Sequence, residues 1–214
     1  MSTSTQDTRD RLLDAAERLF AERGVDATSL RHITTEADAN LASVNYHFGS
    51  KEELFHQIFT RRIGPMNQER IRLLDACEAQ QNPAELECVL AAFLAPALRL
   101  RLDPAHGGEH FMCLMGRLFS EPNEWKVLIM DEFKEIFERF IAALHKTLPD
   151  LPPHELPWRL FFMIGSMAHL MTAGDLLKFF TQGHCDSTDV EGTLRHLVDF
   201  SAAGFRAASR GESQ

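Results

Sequence analysis

Residues 40–54 read NLASVNYHFGSKEEL, and this stretch decides the fold. Asn40 is a good helix N-cap, because its side-chain oxygen can accept from a backbone N–H of the first turn. A short helix is therefore expected from Leu41 to about Phe48, broken by Gly49. Ser50 and Glu53 form a Ser-x-x-Glu capping box that opens a further helix, with Leu54, Phe55, Ile58 and Phe59 on one face. On the short helix Val44 and Phe48 share the inward face, so Ser43, Asn45, Tyr46 and His47 point elsewhere. Tyr46 is the only tyrosine in a chain with sixteen phenylalanines. A buried tyrosine needs a partner for its hydroxyl. An exposed one beside Asn and His makes a surface suited to phosphates and base edges. Lys51 opposes the dipole at its helix N-terminus, and it becomes sensible if a phosphate lies there. The plain alternative is that Tyr46 and His47 pack a helix corner.

Working outward, Leu12, Ala16 and Leu19, with Leu13 and Phe20 beside them, predict a first helix over 8–23. Gly24 is placed to end it in a left-handed cap, followed by apolar Val25. Thr28 is read as the N-cap of a second helix through Ala37, with Leu30, Ile33 and Ala37 on one face. A tight turn over 38–40 follows, where Asp38 tolerates positive φ. Two short helices joined by a tight turn make a helix-turn-helix, whose second member lies in a major groove.

The residues LLDAAERLFAERGVDATSLRHIT (12–34), Ala37 and NLASVNYHFGSKEELF (40–55) resemble the DNA-binding domain of the tetracycline-repressor (TetR) family of bacterial regulators. The departures are Asp38, where the family favours glycine, and Asn45, where it often has Leu or an aromatic, so that Asn45 is either an extra base reader or turned inward to a backbone group. The resemblance implies an all-α fold with a helix-turn-helix domain over 1–50 and a ligand-binding and dimerisation domain over 51–214. It implies phosphate-positioning roles for Tyr46, His47 and Lys51, helped by Thr28 and Arg31. Leu41, Ala42, Ser43 and Asn45 are implied to face base edges, Asn45 being able to pair bidentately with adenine. The implied partners are a palindromic operator in double-stranded DNA, a small apolar effector and a second copy of the chain. The implied function is a regulator, in sense a repressor, released from DNA by its ligand. The stretches LPWRLFFMIG (156–165) and FSAAGFRA (200–207), with Gly64-Pro65, are also similar to the fatty-acid-responsive (PsrA-like) branch, which implies a long-chain fatty acid or acyl derivative. A helical lipid carrier without DNA binding is the alternative.

Charge works against a purely electrostatic reading. Residues 1–62 carry eight Lys/Arg against ten Asp/Glu, and the remainder fourteen against twenty-one, for the net −9 of the 214-residue chain. DNA binding must then come from a local patch and an oriented helix rather than the overall field. The N-terminus is polar with no apolar signal segment, and the apolar run 160–171 is short for a membrane span. A cytoplasmic location without a membrane partner is expected. Cys77, Cys88, Cys113 and Cys185 share no close spacing, so free thiols are expected. His106, His110 and Cys113 have metal-ligand spacing, but Gly107-Gly108 interrupts the helix it needs, so no metal or cofactor is expected. No nucleophile elbow, phosphate loop or zinc-protease motif occurs, and no enzyme activity is expected.

Beyond residue 51 further helices are expected near 66–79, 83–102, 109–120, 122–147, 153–181 and 188–209, with breaks or bends at Gly64-Pro65, Pro96 and Pro157. The region 93–171 is rich in adaptable apolar side chains. Phe93, Leu94, Phe111, Met115, Phe133 and Phe137 are the first candidate ligand contacts. Phe162, Met163 and Met167 join them, with Arg117 as a polar anchor; the alternative is a solid helical core. Leu194, Leu197, Val198, Ala202 and Phe205 on the last helix, with Leu170 on the one before, are expected to form the dimer interface, unless that stripe packs within one protomer.

Overall fold

A computed structural model describes residues 2–101, 108–120 and 124–209, and their side chains other than those of 2–6, 119 and 120. All regular structure among them is helical. The helices are α1 Ser2–Arg23, α2 Leu30–Glu36, α3 Leu41–His47, α4 Lys51–Gln80, α5 Leu86–Arg101, α6 Gly108–Ser120, α7 Asp131–Thr147, α8 Glu155–Phe180 and α9 Val190–Arg206. A 3-10 segment, Trp125–Ile129, separates α6 from α7. The chain forms two compact units, Met1–Pro65 with Asp103–Glu132, and Met66–Leu102 with Phe133–Gln214.

In the first unit α1 buries Leu12, Leu13, Ala16, Leu19 and Phe20 against α2, α3 and α6. Gly24, at φ +84°, ends α1 and returns its N–H to Phe20 O at 2.9 Å, the left-handed cap its sequence predicts. Thr28 departs from expectation. It is fully buried, and its hydroxyl donates to Gly24 O at 2.9 Å and Leu19 O at 3.3 Å. It therefore satisfies carbonyls at the end of α1. The N-cap of α2 is the next residue, Ser29, whose Oγ accepts from His32 N–H at 3.2 Å while its own N–H donates to His32 Nδ1 at 3.3 Å. Glu17 accepts from Arg62 Nη2 at 2.7 Å and Arg61 Nη2 at 2.9 Å, tying α1 to the first half of α4.

Gly64-Pro65 does not end the fourth helix, which runs unbroken from Lys51 to Gln80. An interior proline forfeits one helical hydrogen bond at a cost of about 3 kcal/mol. Burial of Ile58, Phe59 and Ile63 before it, and of Met66, Arg70 and Leu74 after it, holds both flanking turns helical. Pro96 lies likewise inside α5, where Ala92 to Leu98 are all buried. Pro157 is the third residue of α8, in the first turn, where an N–H has no helical acceptor to lose. The irregular residue of α8 is Ala173, at φ −127° and ψ 16°. The helix expected over 122–147 is divided into the 3-10 segment and α7.

Cys77 and Cys88 form a disulfide between the end of α4 and the start of α5, with Cα atoms 5.9 Å apart. This overturns the expectation of free thiols for that pair. Their separation of eleven residues spans a helix end, a turn and a helix start, and it is the reversal of direction at that turn which brings them together. Cys113 and Cys185 are free and exposed.

In the second unit α5, α8 and α9 pack on one another. Leu197, Val198, Ala202 and Phe205 are the buried face of α9, and Leu170 and Leu194 are half-buried. The four buried residues cannot meet a second copy, so that part of the expected dimer interface is the core of one protomer. The large apolar side chains left open on these helices among the described residues are Trp158, Phe161, Phe162, Leu176, Leu177, Phe179, Phe180 and Phe200.

Candidate nucleic-acid interface

The local sequence builds the recognition element. Asn40 Oδ1 accepts from Ser43 N–H at 2.9 Å and from the Ser43 hydroxyl at 3.1 Å, which fixes the start of α3. Val44 and Phe48 are buried and fix its rotation. Asp38 takes φ +46° in the turn before it and Gly49 φ +75° after it. What this leaves outward is Leu41, Ala42, Asn45 and Tyr46, all exposed; Tyr46 is 79% exposed. Its ring meets His47 edge-on, with centroids 5.0 Å apart. Among the described residues no hydrogen bond engages the Tyr46 hydroxyl or the Asn45 amide, so both are available to a partner.

Ser43 is half-buried, with its hydroxyl committed to Asn40, so its part at base edges is the weakest of the group. Arg31 is exposed on α2 with no described ion pair. Thr28, buried and doubly committed, has no access to DNA and drops out of the candidate set. Lys51 opens α4. Ser50 Oγ accepts from Glu53 N–H at 3.1 Å, while the Glu53 carboxylate accepts from Gln57 at 2.8 Å, so the capping box is made in one direction. The Lys51 ammonium lies 5.5 Å from the Trp125 ring centroid and 5.9 Å from that of Phe20. Partial burial lowers its pKa, and the charges of Asp26 and Glu52 oppose that shift. Sequence reading misses Trp125, since nothing in its local pattern links it to a lysine 74 positions earlier.

The ligand-contact candidates divide between the units. Phe111, Met115 and Arg117 lie on α6 in the first unit. The Phe111 ring packs 5.3 Å from that of Phe59, and Arg117 donates to Glu22 O at 3.3 Å. Arg117 also lines a cavity of about 190 Å³ with Arg23, Gly24, Leu114 and Trp125. In the second unit Phe93, Leu94, Met163 and Met167 are buried, and Phe133 and Phe137 are half-buried. Phe162 is exposed, its ring stacked on that of Trp158 with centroids 6.0 Å apart. Among the described residues no three His, Cys, Asp or Glu are placed to hold a metal ion; His106 lies outside them.

A short capped helix with a polar exposed face, set after a second short helix across a tight turn, defines a helix-turn-helix regulator. Residues 12–58 match the bacterial regulatory proteins of the tetR family, and residues 91–204 match the tetracycline-repressor-like C-terminal domain. The chain belongs to that family, which is one of transcription regulators and not of enzymes. It is 37% identical over 78 residues to the nicotine-responsive transcriptional repressor HdnoR of Paenarthrobacter nicotinovorans, covering 36% of this chain and 40% of that one. It is 35% identical over 80 residues to the transcriptional repressor NicS of Pseudomonas putida, covering 37% and 38%. The match thus spans about two fifths of those relatives. Among solved structures, the regulator PfmR of Thermus thermophilus superposes with a TM-score of 0.63 at 18% identity, over 95% of this chain and 98% of that one. The fatty acid degradation regulator FadR of Bacillus halodurans does so with 0.59 at 17%, over 88% and 97%. At such identities the likeness is one of fold.

Proposed function

We propose that the chain is a transcriptional repressor that binds a palindromic operator as a homodimer and is released by a small apolar effector. The observation that carries this is the outward face of α3, where Tyr46 and Asn45 are exposed, with no described hydrogen bond to the Tyr46 hydroxyl or the Asn45 amide, on a helix fixed by Asn40 and Val44. Asn45 reads a base edge, Ala42 and Leu41 touch thymine methyls, and Tyr46, His47, Lys51 and Arg31 hold phosphates. Residues 1–50 form the DNA-reading part and 51–214 the effector and dimer part, which α4 opens. A dimer placing two α3 helices about one duplex turn apart fits a two-fold symmetric site.

The dimer is assigned to the open face of α8 and α9. Trp158, Phe161, Phe162 and Phe200 are each more than 60% exposed, an apolar surface that a monomer seldom leaves to water. By length and composition α8 could also cross a bilayer. A second copy is preferred because its opposite face, Leu160, Met163, Met167 and Met171, is buried in the protomer. For the effector, a long-chain fatty acid or acyl derivative is the reading favoured by the apolar, methionine-rich second unit.

Labelled DNA from immediately upstream of the gene, titrated at two salt concentrations with and without a long-chain fatty acid, tests this. Saturable, salt-sensitive binding that the acid releases is expected. A chain that binds fatty acid, with Tyr46 and Lys51 dispensable and no DNA affinity, would be a lipid carrier instead.

A further inference from the structure

Among the described residues, Glu17 and Arg70 are the charged side chains that reach full burial. Glu17 is neutralised by Arg61 and Arg62. Arg70, on α4 in the second unit, has no such counterpart. Its Nε donates to the Phe93 backbone carbonyl at 2.8 Å, its Nη1 donates to Asn67 Oδ1 at 3.1 Å, and its guanidinium carbon lies 4.1 Å from the Phe93 ring centroid. No described carboxylate pairs with it, and no described hydrogen bond engages Nη2. Burial holds its pKa down to about 9, which leaves it a cation at neutral pH.

A buried charge without an opposite charge is expensive, and a well-packed apolar side chain of similar volume commonly serves stability as well or better. The bond to Phe93 supports a carbonyl in the helical turn before Pro96, but one neutral donor would do that. Among the described residues the positive charge meets no carboxylate and the second amino group no hydrogen-bond acceptor. A guanidinium presents paired N–H groups in the geometry of a carboxylate.

We propose that Arg70 is the anchor for the anionic head of the effector, a carboxylate on an apolar tail. The carboxylate takes the edge formed by Nη1 and Nη2, displacing the Asn67 amide oxygen from Nη1. The tail lies among the apolar side chains of this unit, which include Leu94, Phe140, Met163 and Met167. This rests on the reading of the chain as a regulator released by an apolar acid and adds the residue that anchors the acid's head.

The test uses the full chain with hexanoate, decanoate and hexadecanoate, each beside the alcohol of the same length, and reads ligand affinity and thermal midpoint. The wild type is expected to bind at least one acid about tenfold to a hundredfold more tightly than its alcohol, the increment of charge-assisted hydrogen bonds. Arg70→Met is expected to fold with an unchanged or higher midpoint without ligand and to bind acid and alcohol alike. Arg70→Lys keeps a reduced preference for the acid, and it reads the same point if Arg70→Met folds poorly. Equal binding of acid and alcohol by the wild type overturns the anchor while leaving an apolar effector standing. An undiminished acid preference in Arg70→Met also overturns it. Binding of neither probe overturns both the anchor and the apolar effector.

Discussion

The Lys51 ammonium rests 5.5 Å from the centre of the Trp125 ring, and Trp125 in turn donates its indole N–H to Asp26 at 2.8 Å. A flexible lysine at the edge of the recognition element is thus held by a buried aromatic, itself pinned to the loop between α1 and α2. Such a contact restricts the lysine before any phosphate arrives, which lowers the entropy lost on binding. Trp125→Leu should remove a cation–π contribution of about 0.5–1 kcal/mol and weaken DNA binding two- to fivefold. Lys51→Gln should weaken it further and reduce the slope of log K against log salt by about one per protomer. Anisotropy titrations across a salt series check both, and an unchanged slope for Lys51→Gln would remove the lysine from the phosphate contacts.

The two faces of α9 give opposite expectations. Phe200→Asp, on the open face, should turn a dimer into a monomer with little loss of protomer stability. Leu197→Ala, on the buried face, should cost about 2–5 kcal/mol and lower the thermal midpoint. Light scattering and thermal melts on the same two variants separate these roles. A Phe200→Asp protein that stays dimeric would move the interface elsewhere.

How much of this is legible in the sequence varies with the distance over which a residue acts. The caps Gly24 and Asn40, the positive φ of Asp38 and the inward Val44 and Phe48 depend on neighbours within a turn or two, and they can be read directly. Thr28 is misplaced by one position, because Thr28 and Ser29 are both competent caps and only the fold puts Thr28 beneath the end of α1. Gly64-Pro65 and Pro96 mislead because burial on both sides overrides a local helix-breaking preference. The α9 stripe shows that a face is apolar but not what it meets. The Cys77–Cys88 bond depends on the direction the chain takes between two helices, and Trp125 beneath Lys51 and the contacts of Arg70 with Phe93 depend on residues further apart; no local pattern carries them.

The disulfide closes a short loop, for which a chain-entropy treatment gives about 3 kcal/mol of stabilisation. Reduction, or Cys77→Ser with Cys88→Ser, should lower denaturant stability by roughly that amount. Cys113→Ser, which leaves the disulfide intact and keeps a donor for the Ala21 carbonyl, should leave it unchanged. Urea melts with and without a dithiol reductant provide the comparison, and equal stabilities would show that the bond contributes nothing.

Acid should loosen the second unit first at its carboxylate clusters. Hydrogen bonds from Arg139 hold the Glu78 carboxyl below its ordinary value of 4.5, and Arg206 does the same for Glu87. A carboxyl depressed in the folded state stabilises fully above its unfolded pKa, and that contribution fades as pH falls through the folded value. Stability should thus be level above about pH 5 and decline below about 4.5, less steeply in Glu78→Gln. Both pairs are solvent-touched, so each effect is small. A Glu78→Gln profile parallel to the wild type would show that this pair adds no linkage.

The most direct test of the central claim is selection of a DNA site from a randomised duplex library, followed by titration of the selected site with the wild type and with Asn45→Ala and Tyr46→Ala. The expected result is a two-fold symmetric sequence bound by two protomers. Asn45→Ala should cost about 1–3 kcal/mol at one base pair of each half-site, and Tyr46→Ala should weaken all sequences alike. Failure to enrich any duplex sequence, or enrichment of one that both variants bind as tightly as the wild type, would contradict the assignment of α3 as the reading helix.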